Sequence, residues 1–260
     1  MGIYLTPGNE NYRESIKSEA YVDKTMMLDV LNKYIEEGNK YVCVSRPRRF
    51  GKTIAQNMIN AYYSKGCDSA DIFSRMKISD VEGYKENLNR FNVIKIDMNG
   101  EYQSAEEKDK VLKNLTRKIK REMKRAFRDL DFDMEDTLVD MMLEVYGETG
   151  ETFMILIDEY DVLVREQVSQ DLFDEYLSFL NGLFKNDTLR PAVSLAYLTG
   201  ILPVVRDKVQ SKLNNFREYT ILDARELAEF VGFTDHEVKE LCEEPPTRSE
   251  ERRVGKECRS

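Results

Sequence analysis

Gly51, Lys52 and Thr53 close the stretch SRPRRFGKT at 45–53, and they are the residue types that a phosphate cradle requires. Such a cradle turns backbone N–H groups inward at a helix start, where the helix dipole favours an anion. It adds an ammonium for the β and γ phosphates, here Lys52, and a hydroxyl for Mg2+, here Thr53. Arg46 stands where the usual GxxxxGK[ST] pattern begins with glycine, and Pro47 biases it toward an extended conformation, so the chain must leave the strand by a different turn. Arg46, Arg48 and Arg49 set cations beside the site, able to pair with phosphate or with acidic neighbours, and Pro47 and Phe50 complete the nucleotide-binding loop.

A Gly-Lys-Thr at a helix start arises easily by chance, and a second motif makes it specific. FMILIDE at 153–159 is an apolar run ending in two acids. Asp158 is expected to hold Mg2+ through water, and Glu159 to orient or deprotonate the attacking water. VSLAYLTG at 193–200 carries Thr199, which reads either as a sensor of the γ-phosphate or attacking water, or as a strand-terminal hydroxyl satisfying a turn. Arg206, in ILPVVRDK, reads either as a cation supplied in cis to the transition state or as a surface helix arginine. The chemistry expected is ATP·Mg2+ binding with hydrolysis of the β–γ bond, carried by Glu159, Lys52, Thr199 and Arg206 and coupled to a conformational switch. The alternative is a nucleotide-gated interaction module with little turnover; the presence of Glu159, which a pure binder does not need, argues for the enzyme.

These residues need strands and helices to position them. Five short apolar runs, at 41–45, 92–97, 153–157, 193–198 and 219–222, alternate with longer amphipathic stretches, the signature of parallel strands joined by helical crossovers. Helices are expected at 53–64, through a stripe from Val111 to Leu130, and at 138–145 and 172–184. A strand between the two motifs fits a three-layer α/β P-loop fold of the additional-strand type. In it a mostly parallel five-stranded sheet, in order 5-1-4-3-2, is flanked by helices. The basic run from Arg117 to Arg128 reads as a solvated helix face, so nucleic acid is not an expected partner.

Composition narrows the class further. The chain has 260 residues, 41% apolar, with a formal charge of −9 carried by mixed rather than blocked charges. No apolar run approaches the roughly 20 residues of a membrane span, and the first residues lack a signal-peptide order, so the expected location is cytoplasmic. Four unspaced cysteines and a single histidine, His236, argue against zinc and against a Ser-His-Asp triad.

With these motifs in place, the chain resembles the bacterial AAA-ATPase-like domains that usually precede a PD-(D/E)xK nuclease-like domain. The resemblance is carried by YVDKT at 21–25, SRPRRFGKT at 45–53, FNVIKIDMN at 91–99, ILIDEYD at 155–161, YLTGI at 197–201, KLNNF at 212–216 and VGFTDHEV at 231–238. In that family Arg replaces the first P-loop glycine as a matter of course. The resemblance implies that the segment containing Asp23 lies near the adenine, and that Asn214 and Asn215 sit close to the nucleotide. It also implies a partner, either another protein or the nuclease-like domain, which is expected to be missing beyond Thr247. The tempting Glu237-Val238-Lys239 triplet falls in a helix that Thr234 and Glu237 open as a capping box. The expected division is an ATPase-like domain over 1–247, with its core at about 10–230 and a helical extension from 231. RSEERRVGKECRS at 248–260 reads as the translation of a sequencing adapter.

Overall fold

The computed structural model describes residues 2–202, 215–223 and 225–243. Runs that are apolar at successive positions become strands buried on both faces: β1 (Tyr41–Ser45), β2 (Asn92–Asp97), β3 (Phe153–Asp158) and β4 (Val193–Gly200). β5 (Arg217–Tyr219) completes the sheet beside β1. Among the helices, α1 (Glu10–Ser15) and α2 (Met27–Glu37) precede β1. α3 (Lys52–Tyr63) and the single turn α4 (Ala70–Phe73) separate β1 from β2. α5 (Met98–Ser104), α6 (Val111–Ala126) and α7 (Leu138–Thr149) lead to β3. α8 (Val162–Arg165) and α9 (Gln170–Phe184) lead to β4, and α10 (Asp235–Glu243) follows β5.

The sheet order is β2-β3-β4-β1-β5, which from the β5 edge is the expected 5-1-4-3-2, and every pairing is parallel rather than most of them. Alternation across each strand supplies two cores. Cys43, Ile94, Ile96, Ile155, Ile157 and Leu198 face α6, α7 and α9, whereas Val42, Val44, Val93, Leu156 and Tyr197 face α2 and α3. The result is three layers, helices on both faces of one sheet. Cys43 is fully buried, and that burial pushes its thiol up, as expected of an inert reduced cysteine.

Two elements differ from the sequence expectation. The last strand lies at Arg217–Tyr219, not 219–222. An edge strand needs only backbone pairing and one buried side chain, which Tyr219 supplies. Arg217 stacks over the Tyr34 ring, and Ile221 and Leu222 are exposed in the following turn. The long helix stops at Ala126, yet Phe127 and Leu130 still pack on the core from the next turn, so the apolar stripe outlasts the helix. Its basic face is largely exposed, as expected, with some of its lysines engaged by neighbouring groups. Lys120 and Lys124 donate to carbonyls of the loop before α7, Lys118 pairs with Glu101 at 2.8 Å, and Arg117, Arg121, Arg125 and Arg128 remain exposed.

The free edge of β2 is covered by residues at the start of the chain. Leu5 bridges Ile94 in antiparallel sense, and the carboxylate of Glu122 on α6 accepts the N–H groups of Ile3, Tyr4 and Leu5 at 2.9–3.0 Å. Among the described residues no helix is long and apolar enough to cross a membrane.

Candidate functional site

The registers of β1, β3 and β4 bring Ser45 level with Gly200, and Ile157 level with Leu198. Both motifs therefore end at the carboxyl edge of the sheet, where ligands of open α/β folds bind.

Beyond β1 the backbone of Arg46 continues the ladder, its N–H donating to Gly200 O at 3.1 Å. This is the extended conformation that Pro47 demands of the residue before it. The reversal comes later, where Arg49 and Gly51 adopt positive φ of 68° and 71°. At Gly51 a glycine is what that conformation favours; Arg49 takes it at a cost in strain. Gly51 is the N-cap of α3 and has no side chain to offer, so the first N–H groups of a 12-residue helix point out unclaimed by a cap.

Lys52 is buried and lies back on its own loop, Nζ donating to Arg46 O at 2.9 Å and Pro47 O at 2.8 Å. Burial lowers its pKa, opposed by the nearby charges of Asp158, Glu159 and Asp161. Thr53 Oγ1 donates to Asp158 Oδ2 at 2.7 Å. The other oxygen of Asp158 accepts from Thr199 Oγ1 and from the N–H of Glu159 at 3.0 Å, and Gln56 Nε2 donates to Thr199 Oγ1 at 3.0 Å. Asp158 is thus held from both sides, by the helix that follows the loop and by the end of β4.

The pair Thr53 and Asp158 fits a divalent cation. Adjacent ligands on an octahedral ion with bonds of about 2.1 Å stand roughly 3 Å apart, close to the spacing of Thr53 Oγ1 and Asp158 Oδ2, and both are hard oxygen donors. That spacing suits Asp158 as a direct ligand rather than one acting through water as expected from the sequence. Among the described residues there is no group of three or more His, Cys, Asp or Glu that could hold a metal. An ion here would draw its remaining ligands from water and phosphate, as Mg2+ does.

A cleft of about 460 Å3 opens over this arrangement, its floor formed by Arg48, Arg49, Phe50, Gly51, Lys52 and Thr53 with Asp158 and Glu159. One wall carries Tyr12, Tyr21, Val22 and Lys24, the other Phe230, Gly232 and Phe233, with Ile54 and Met58 between them. The lining thus combines phosphate-binding residue types with apolar and aromatic side chains. Lys24 clasps the two walls together, bonding Glu237 at the start of α10 and the carbonyl of Glu229. Thr234 and Glu237 form the expected capping box, with Thr234 N–H on Glu237 Oε2 at 2.7 Å.

Several residues expected at the nucleotide are placed elsewhere. The Arg46 side chain turns inward, 4% exposed, beside Tyr197; burial lowers its pKa, and only its carbonyl and that of Pro47 serve the site, as acceptors for Lys52. Asp23 does not line the cleft: its carboxylate accepts Thr25 N–H at 2.8 Å and Lys77 N–H at 2.7 Å, fixing the segment whose neighbours Tyr21, Val22 and Lys24 do. Thr199 is fully buried behind Asp158 and reaches the site only through that carboxylate. Asn215 donates to Phe184 O at 2.6 Å, outside the cleft lining. Arg206 and Asn214 lie outside the described residues.

Other residues of the site escaped sequence reasoning. Gln56 is signalled by nothing, and Phe230 and Phe233 reach the cleft through the fold alone. Arg165 carries a weak sign, lying four residues beyond Asp161 in the turn after IDEYD. It pairs with Glu159, and its Nε lies 3.2 Å from Asp161 Oδ2. Asp161 in turn accepts the N–H groups of Ile201 and Leu202 at 3.1 and 2.9 Å, and Tyr160 N–H donates to Thr199 O at 3.0 Å, so IDEYD is zipped to the end of β4. This junction leaves no room at Gly200, where an added Cβ would stand 2.6 Å from the Tyr160 ring and 2.9 Å from Asp161 Oδ1. Gly200→Ala is expected to cost about 1–3 kcal/mol by overpacking, read as a lower midpoint in denaturant with an unchanged slope.

No curated protein matches the chain. A family described as predicted AAA-ATPase matches residues 8–210, which include the FGKT loop, the IDEYD strand and Thr199. With that match over most of its length and the sheet order of P-loop ATPases, the chain belongs to the AAA-ATPase-like family.

Proposed function

We propose that this chain binds ATP with Mg2+ and hydrolyses its β–γ bond. The observation that carries the reading is the convergence, on one cleft, of Lys52 and Thr53 at a helix N-terminus with Asp158 and Glu159 from a different strand. The base is assigned to the apolar compartment between Tyr21 and Phe230, and the phosphates to the floor, where Lys52 exchanges its two carbonyl partners for phosphate oxygens. Arg48 and Arg49 add positive charge along the same floor.

Thr53 and Asp158 would hold Mg2+, which when bound would supply positive charge against what builds on the β and γ oxygens. The oxygen of a water bonds to the γ-phosphorus as the bond from that phosphorus to the bridging oxygen breaks. Glu159 accepts the proton that the water loses, and ADP and inorganic phosphate leave. Hydrolysis is read out through the far wall: Phe230, Gly232 and Phe233 run directly into α10, which Lys24 ties to the near wall, so a change of occupancy alters contacts made by the chain beyond it or by a partner protein.

The test is equilibrium binding of ATP and phosphate release by the wild type and Lys52→Ala. Removing the ammonium should weaken ATP binding by about 10–100-fold, the weight of a charged hydrogen-bonding group. A wild type that takes up no nucleotide would sink the reading. Binding without phosphate release selects the nucleotide-gated interaction module, the second reading, which the pairing of Glu159 with Arg165 favours.

A further inference from the structure

We infer that Lys95, a half-buried ammonium on β2, keeps a divalent cation off Asp158 until a nucleotide brings one, so that the site loads with the nucleotide complex and not with the ion alone. The inference deepens the proposed function and rests on its assignment of Thr53 and Asp158 as cation ligands.

Lys95 reaches the site from the strand beside β3. Asp97 on β2 is level with Asp158 on β3, and Lys95, two residues earlier, lies on the same face of the sheet, toward α3. Its Nζ donates to Asn57 Oδ1, one helical turn beyond Thr53, whose hydroxyl bonds Asp158. α3 therefore carries both contacts on successive turns, one to the cation ligand and one to the ammonium. Among the described residues no carboxylate bonds Lys95. Burial lowers its pKa, opposed by the charges of Asp158 and then Asp97. An apolar residue would suit the position better for stability, as Val93 does on the same strand face, because a desolvated ammonium whose partner is one amide oxygen is costly.

Asp158 thus stands between two ammonium groups. Lys52 approaches from the loop after β1 and Lys95 from β2, and Asp158 is the leading negative charge acting on each. A carboxylate offset in this way draws a bare divalent cation weakly, and among the described residues no group of three acids, histidines or cysteines restores the balance. An incoming triphosphate reverses the sign of the site. Lys52 leaves its two carbonyls for phosphate oxygens, the phosphates add their own charge to the ligand set, and the cation arrives already bound to them. The charge of Lys95 then acts in two opposite ways: it repels a free cation, and it attracts the nucleotide complex, which is net negative.

The experiment measures two equilibria in the wild type and three variants: uptake of Mn2+ without nucleotide, and binding of the ATP complex of Mg2+. Mn2+ takes the same hard oxygen donors as Mg2+ and is read by paramagnetic resonance. Lys95→Gln keeps an N–H donor for Asn57 and removes the charge, Lys95→Arg keeps the charge, and Asn57→Asp gives the ammonium a carboxylate that cancels its charge in place. Lys95→Gln and Asn57→Asp should bind Mn2+ about tenfold more tightly than the wild type and the ATP complex about threefold more weakly, while Lys95→Arg stays within about twofold in both. A strut that merely holds α3 to β2 predicts no gain in Mn2+ binding from either change. Adding Asp158→Asn to Lys95→Gln should cancel the gain, which assigns the ion to Asp158. Mn2+ bound by Lys95→Gln no more tightly than by the wild type overturns the inference, and so does a gain that survives Asp158→Asn. If Lys95→Gln does not fold, Asn57→Asp carries the same comparison. A wild type that binds no ATP sinks the proposed function, and the Mn2+ series, which needs neither nucleotide nor turnover, still decides whether Lys95 holds the cation off.

Discussion

Glu159→Gln is expected to lower kcat for phosphate release by about 10²–10⁴-fold, the range a positioned general base contributes, while ATP affinity stays within a few-fold. The substitution preserves length and shape, and an amide oxygen can still accept from Arg165, so the turn that holds φ at 49° keeps its supports. What disappears is the capacity to take a proton from water. Of Glu159, Asp158 contacts only the backbone N–H, which the substitution leaves in place, so the proposed cation ligands are untouched. Single-turnover phosphate release separates this loss from changes in product release, and equilibrium binding shows whether the variant traps ATP. A reduction in kcat below about tenfold would mean that Glu159 is not the base and that water is oriented by another group.

The sheet was legible because parallel strands buried on both faces leave a nearly continuous apolar signal, and FMILID and NVIKID are of that kind. Arg217–Tyr219 was not, because an edge strand is fixed by backbone pairing to Val42, Cys43 and Val44, which puts little demand on side-chain type. The chemistry-bearing groups divide in the same way. Lys52, Thr53, Asp158 and Glu159 stand in local patterns whose spacing follows from a strand-to-helix turn and a strand end, and all four meet at the cleft. Arg46 misled for an instructive reason: beside a phosphate loop an arginine reads as a phosphate ligand, but the residue before proline stays extended, and here its alternating side takes it into the sheet next to Tyr197. Thr199 was placed correctly at the end of its strand, and only the packing shows that its hydroxyl is spent on Asp158. Phe230 and Phe233 border or fall in the VGFTDHEV stretch, but nothing in their local spacing says that they line the cleft, which only the tertiary structure shows.

Asp158 is the residue on which the remaining geometry depends, and Asp158→Asn tests whether its charge or its shape matters. The carboxylate accepts three hydrogen bonds, from Thr53 Oγ1, Thr199 Oγ1 and Glu159 N–H. Asparagine can keep all three contacts: its oxygen takes the place that serves Thr199 and Glu159, and its NH2 faces Thr53, whose hydroxyl rotates to accept instead of donate. Stability should therefore move by only about 1 kcal/mol. The cation site should not survive as well, because an amide nitrogen now faces the position of the hard cation and the negative charge is gone. On the proposed function a cation at this position would contribute several kcal/mol of transition-state stabilisation, so the expected result is a fall in kcat of about 100–1,000-fold, accompanied by a rise in the Mg2+ concentration needed for half-maximal rate. Titrating Mg2+ against phosphate release in the wild type and the variant gives both quantities, and a denaturant curve gives the third. Unchanged Mg2+ dependence with a large loss of stability would show Asp158 to be a strut between α3 and β4, and the metal would then have to be sought elsewhere along the cleft floor.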